Sequence, residues 1–306
     1  MQAEDPFLTE VASHLMTAGG KRVRPAFSVT SAATRAATMA PAPPEVISGA
    51  VSVELVHLGS LYHDDVMDDA TTRRTVESVN ARWGNLKAIL AGDYLLARAS
   101  ELAASLGTEV AGLLASTIAR LCEGQVLELQ HTFDAGRTES AYLASIDGKT
   151  AALLATACRI GGIVAERPRP VIDQLTRFGH SYGMAFQIVD DILDVVATDE
   201  ELGKPSGHDL VEGVYTLPVI RVLARGGSDA DELATLLGGP LDGAELDRAR
   251  AIVAASGQVD TALDTARAYA DEAAAALAEV AETEAGAALV AASDHLLETV
   301  RAAAAR

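Results

Sequence analysis

The stretch "SLYHDDVMDD", Ser60 to Asp69, closes a mostly apolar run and packs four carboxylates into six positions. On a helix, Asp64 and Asp68 lie four residues apart and Asp65 and Asp68 three, so these aspartates share one face on neighbouring turns. Like charges placed this way destabilise a helix unless a cation sits between them. Asp69 falls outside the spacing and reads as solvated. A second stretch, "FQIVDDILD" (Phe186 to Asp194), repeats the pattern with Asp190, Asp191 and Asp194, and places Gln187 one turn earlier. Its aspartates interleave with Ile188, Val189, Ile192 and Leu193, so the same helix carries a buried face and an acidic one. A merely solvated face would not need the duplication. Mg²⁺ takes hard oxygen ligands, usually one or two carboxylates together with waters and phosphate oxygens. Two such helices facing each other would hold several Mg²⁺ ions around one diphosphate.

Working outward, Gly and Pro divide the chain into long helical segments. One follows "APAPPE" (Ala40 to Glu45) and runs to about Asp69. Others are expected over Leu86–Leu106, Glu109–Thr132 and Glu139–Val164, and from Pro170 in a first turn to Val196. Thr198 to Pro218 is too rich in Gly and Pro for one helix. The Ala-rich remainder breaks at "GGPLDG" and "ASGQ". No strand alternation of useful length and no strong linker appears. The expected fold is therefore all-α, one helical domain over residues 1–306.

The 306 residues are 49% hydrophobic but only 4% aromatic, ample for a core built on Ala and Leu. A net charge of −19 would repel a phosphate backbone, which argues against nucleic acid as a partner. Cys122 and Cys158 sit in apolar stretches without metal or redox spacing and read as small buried hydrophobes. The N-terminus has no basic-then-apolar leader, and "AALLATACRIGGIVA" (Ala151 to Ala165) is too short to span a bilayer. The expected setting is the cytoplasm.

Cations accompany the acids. "GGKRVRP" (Gly19 to Pro25) places Lys21, Arg22 and Arg24 behind two glycines, a pattern suited to anions. Arg73 and Arg74 follow the first acidic cluster. Lys149 and Thr150 come on "DGKTAAL", and Lys204 on the loop after the second cluster. His57 lies seven residues before Asp64, on the same helical face.

These stretches, with "AILAGDYLLARA", "GMAFQIVDDILD", "GKPSGHDL" and "TLP", resemble in order the trans-isoprenyl diphosphate synthase (polyprenyl synthetase) family from Gly19 to Pro218. The resemblance implies an isoprenoid-synthase-like helical bundle around a central cavity, forming a homodimer. It implies Mg²⁺-dependent head-to-tail condensation of isopentenyl diphosphate with an allylic diphosphate by ionisation, attack of the double bond and proton loss. Asp64, Asp65, Asp68, Asp190, Asp191 and Asp194 would bind Mg²⁺ around the allylic diphosphate. Arg73, Lys149, Thr150, Gln187 and Lys204 would contact that substrate, with Arg73, Lys149 and Lys204 as catalytic cations. Lys21, Arg24, His57 and Arg74 would hold isopentenyl diphosphate.

The chain departs from the family pattern at "GVYTLP", where Val214 replaces a lysine, and at Thr75, where many relatives have Gly. Its first helix is expected to be short. Small residues Gly59 and Ser60 replace the bulky aromatics of short-product relatives, which points to an open channel and a product longer than geranylgeranyl diphosphate. A side chain near Leu86–Leu90 or Val126–Leu129 could close it instead, giving a farnesyl or geranylgeranyl synthase. Unloading a long product would involve transient membrane contact. The competing readings are a class I terpene cyclase, which would lack the "GGKRVRP" site, and a non-catalytic subunit of a heteromeric synthase, which would be expected to lose an acidic motif.

Overall fold

The structure, a computed structural model, describes residues 4–198 and 206–304, with side chains to residue 298; Lys204 lies outside the described residues. The order is α1 (Pro6–Thr17), α2 (Val23–Ala33), α3 (Pro44–Met67), β1 (Thr72–Arg73), β2 (Val76–Glu77), α4 (Val79–Trp83), α5 (Asn85–Ser105), α6 (Thr108–Leu129), α7 (Glu139–Ile146), α8 (Ala152–Val164) and α9 (Arg169–Val196). Shorter helices and the long Gln258–Ala276 and Glu284–Ala304 complete the chain.

Local chemistry sets these boundaries. Asp5 caps α1 by accepting from Phe7 N at 2.8 Å, and Thr138 caps α7 by accepting from Ala141 N at 3.2 Å. Prolines occupy the first turns of α1, α3 and α9, where a missing N–H is harmless. α1 is short, at 12 residues, and is pinned to α3 by Tyr62. That hydroxyl donates to Val11 O at 2.9 Å and accepts from Leu15 N at 3.3 Å.

The expected single helix over Glu139–Val164 is interrupted. Asp147–Ala151 forms a π-turn between α7 and α8. There α6 crosses so closely that a Cβ on Gly124 would lie 2.5 Å from Lys149 N, and one on Gly148 2.7 Å from Arg120 O. Single π-turns of this kind often carry functional groups, and this one carries Lys149 and Thr150. Gly179 and Gly183 likewise bring α9 onto α8, each with 2.6 Å for a hypothetical Cβ. This contact sets the second acidic turn beside the π-turn.

Two apolar clusters form the core. One joins α1, α3, α5, α6 and α8; the other joins α7, α9 and the C-terminal helices. Between Asp69 and Ser78 the chain makes a small hairpin, pairing Thr72 with Glu77 and Arg73 with Val76. Arg74 (φ 53°) and Thr75 (φ 65°) both take the left-handed conformation that a tight two-residue hairpin turn demands. Cys158 is buried as expected, but Cys122 is exposed on α6. Apolar neighbours in sequence do not bury a residue whose helix face is left uncovered.

Candidate active site

A cavity of about 330 Å³ opens where the two apolar clusters meet. The ends of α3 and α6, α7, the π-turn, α9 and the segment around Asp209–Thr216 form its walls. Asp68, Lys149, Thr150, Gln187 and Asp191 all line it, so residues far apart in sequence converge as expected.

The second acidic cluster is held by hydrogen bonds. Tyr142 Oη donates to Asp191 Oδ2 at 2.5 Å and Gln187 Nε2 donates to Asp191 Oδ1 at 2.7 Å. Thr150 Oγ1 in turn donates to Gln187 Oε1 at 2.7 Å, fixing which way the amide points. Burial pushes the Asp191 carboxyl up to about 7, against the pull of those two donors. Asp194 is 2% exposed and accepts from Asp209 N at 3.0 Å, which ties down the segment after the acidic turn. Asp190 is exposed beside it.

The first cluster is arranged differently. Asp68 lies just past the helix and caps its C-terminal end, in part exposed and in part lining the cavity. Asp65 is fully buried and takes Arg73 Nε at 2.6 Å. Burial raises the Asp65 carboxyl while Arg73 opposes the rise. Asp64 is raised by burial and steadied by Lys149 and Arg73; Asp68 is pushed up to about 6, by burial first and then by Glu212. Lys149 Nζ meets Glu128 Oε1 at 2.6 Å, and although burial works against its charge, Glu128 and Asp64 keep its pKa raised.

The "GGKRVRP" loop forms a second, cationic centre. Arg74 Nη1 donates to Gly19 O at 2.8 Å, and its guanidinium packs on Gly20 so tightly that a Cβ there would meet it at 2.8 Å. Arg22 pairs with Glu54, leaving Lys21 exposed. Arg24 Nε is buried without a hydrogen-bond partner, and burial lowers that guanidinium to about 10. Burial and the charges of Arg24, Arg74, Arg22 and Arg73 hold His57 well below its usual pKa, so it is neutral near pH 7.

The donors fit a divalent cation. They are hard oxygens, Asp65 Oδ2 is buried without a hydrogen-bond partner, and the raised carboxyls are ones a nearby dication would keep ionised. No three His, Cys, Asp or Glu side chains among the described residues converge tightly enough to cage an ion alone.

Sequence reading missed Glu128, Tyr142, Arg137, Asp209 and Glu212, which also line the cavity. The charged Glu128 on an otherwise apolar turn of α6 was a usable signal; nothing near Tyr142 marks it. Gly59 is a correction. A Cβ there would lie 3.1 Å from Gly92 O and 3.2 Å from Leu96, so its smallness serves the α3–α5 contact. Ser60 alone remains as the small residue of the expected channel.

The class the fold defines is a helical bundle with residues of both acidic turns at one cavity and a separate cationic centre. The polyprenyl synthetase family model matches residues 5–255. The chain is 42% identical over 274 residues to the nonaprenyl diphosphate synthase of Mycobacterium tuberculosis, covering 89% of this chain and 81% of that one. It matches a decaprenyl diphosphate synthase structure from Rhodobacter capsulatus with a TM-score of 0.91 at 34% identity, over 98% and 93% of the two chains. A polyprenyl synthase from Caulobacter crescentus, solved with calcium and isoprenyl diphosphate, matches with a TM-score of 0.90 at 35% identity over 97% and 90%. Geranylgeranyl diphosphate synthases also match, at 38% identity. The chain belongs to the polyprenyl synthetase family and is a prenyltransferase.

Proposed function

We propose that this chain condenses isopentenyl diphosphate with an allylic diphosphate to make a trans-polyprenyl diphosphate longer than geranylgeranyl diphosphate, using Mg²⁺ held by the two acidic clusters. The observation that carries the reading is the pair of acidic turns brought to one cavity beside Lys149, with a separate arginine centre around His57. One centre would hold the allylic diphosphate and the other isopentenyl diphosphate, which a terpene cyclase has no need to bind. Both acidic motifs are intact, which speaks against a non-catalytic subunit.

Asp64, Asp65, Asp68, Asp190, Asp191 and Asp194 would hold the ions, with Asp65 and Asp194 oriented by Arg73 and the Asp209 N–H. Bound there, Mg²⁺ would neutralise the charge that develops on the leaving diphosphate. Lys149 stands between Glu128 and the first cluster and would follow the leaving oxygens. Neutral His57 would accept or donate a hydrogen bond without adding charge to the arginine centre.

A long product is supported by the small Ser60 and by the outward direction of Leu86, Leu90 and Val126, which are 79%, 64% and 51% exposed, while Leu129 lines the cavity. Those residues, with Ile89 and Leu129, leave apolar rows on α5 and α6 that suit a homodimer interface. α6 is also the one helix among the described residues with the length and composition to cross a membrane, a match its uncovered apolar face accounts for. The cytoplasm is the setting this reading favours, with transient membrane contact to unload product. Purified protein alone, given Mg²⁺, farnesyl diphosphate and labelled isopentenyl diphosphate, should elongate it and sediment as a dimer. Failure to consume isopentenyl diphosphate would defeat the reading.

A further inference from the structure

Arg137 immediately precedes the cap of α7, lines the cavity and is only 4% exposed. Its Nη1 donates to Tyr215 O at 3.1 Å. Its Nε and Nη2 are buried and have no hydrogen-bond partner. The guanidinium carbon stands 5.5 Å from the centre of the Tyr142 ring, whose hydroxyl donates to Asp191. A buried charged donor left unpaired costs more than a neutral one. Such groups in a cavity wall call for an acceptor from outside the chain. Nε–H and the adjacent Nη2–H form one edge of the guanidinium, the fork that takes two oxygens of a phosphate side-on.

The loop is also held by bonds that do not involve the guanidinium. Phe133 N donates to Gly213 O at 2.9 Å, Arg137 N to Asp134 O at 3.0 Å, and Gly136 N to Asp134 Oδ1 at 2.8 Å. Val214, which lines the same cavity, is apolar and offers no competing cation. Glu128, Asp191 and Asp209 surround the charge and oppose the lowering that burial causes.

From these contacts we infer that Arg137 is a diphosphate-binding residue: its free fork grips two non-bridging oxygens of the allylic diphosphate from the α7 side of the cavity. The inference rests on the diphosphate reading of that cavity given above. It assigns Arg137 to the allylic substrate because the arginine shares a wall with Asp191, whereas the "GGKRVRP" centre is built by other elements.

The test compares wild type, Arg137→Met, Arg137→Lys and Arg137→Met with Val214→Lys. Each substrate is varied in turn, and inorganic pyrophosphate with Mg²⁺ is titrated calorimetrically. Losing a two-point charged contact should raise the allylic KM and the pyrophosphate Kd by about tenfold or more, with the isopentenyl diphosphate KM within about threefold of wild type. Arg137→Lys should recover part of the loss, and a lysine at 214 should recover more in the Met background than it gains in wild type. Equal pyrophosphate binding by wild type and Arg137→Met would overturn the inference. So would a fall in melting temperature with both KM values shifted alike, since that marks a purely structural arginine. If wild type binds pyrophosphate through Arg137 yet transfers no prenyl group, this inference stands and the proposed function falls.

Discussion

The two acidic turns share a spacing and differ in everything that surrounds it. On α3 the aspartates are answered by cations: Arg73 on Asp65, Lys149 near Asp64 and Asp68. On α9, Asp191 is answered by neutral donors, Tyr142 and Gln187, and Asp194 accepts a backbone N–H among its contacts. Both turns lie at helix C-termini: α3 ends at Met67 and gives way to a tight hairpin, while α9 runs on two residues past Asp194 to Val196. A carboxylate held by neutral donors in a buried wall keeps its shape but gains little charge compensation. Asp191 therefore depends more on a bound cation than Asp65, which Arg73 already answers, does.

The largest effect should come from emptying either cluster. Asp64→Ala and Asp191→Ala are each expected to lower kcat by about a thousandfold or more, as removal of leaving-group stabilisation does. Asp69→Ala, on the exposed side, should stay close to wild type. If Asp69→Ala were as damaging as Asp64→Ala, the division of the first cluster would be wrong. Next in size, Tyr142→Phe removes one of the two side-chain donors that aim Asp191. Mg²⁺ affinity should weaken by about ten- to a hundredfold, the usual cost of losing an outer partner of a ligand. An unchanged metal titration would contradict the contrast between the clusters.

A smaller effect separates the clusters by pH. In the metal-free protein the Asp191 carboxyl is raised to about 7 from its ordinary 3.8. Between those values the folded state keeps a proton that the unfolded chain has lost, so stability falls as pH rises through the window. His57, lowered from 6.5, acts with the opposite sign, losing stability as pH falls below 6.5. Comparing wild type with Asp191→Asn isolates the first contribution. The variant should gain melting temperature relative to wild type at pH 8 but not at pH 4, by a few degrees. An identical pH profile for both proteins would show that Asp191 is not held protonated.

The smallest effect lies in the hairpin. Thr75 is β-branched at φ 65°, a conformation costing such a residue about 1–2 kcal/mol, so Thr75→Gly should stabilise the protein by about 1 kcal/mol in denaturant melts. A destabilised Thr75→Gly would mean that the Thr75 hydroxyl bond to Arg74 O at 2.6 Å outweighs the strain.

The sequence made the long helices and both acidic turns legible because each is a local pattern: Pro and Gly at the breaks, apolar residues at helical spacing, aspartates three and four apart. The hairpin was hidden because its turn residues are Arg-Thr rather than Asn-Gly, and each strand is two residues long. The π-turn was hidden because it arises from the crossing of α6 at Gly124 and Gly148, two glycines 24 residues apart in sequence. Arg137 and Tyr142 became visible only when α7 was folded against α9. Gly59 shows the reverse error, since a small residue beside a cavity motif turned out to serve helix packing.

The central claim is that this chain alone builds a prenyl chain longer than geranylgeranyl. The direct measurement is chromatography of the products after incubating purified protein with Mg²⁺, farnesyl diphosphate and labelled isopentenyl diphosphate in excess. A dominant product of more than four isoprene units agrees with the account. Accumulation of geranylgeranyl diphosphate with no further extension would contradict it.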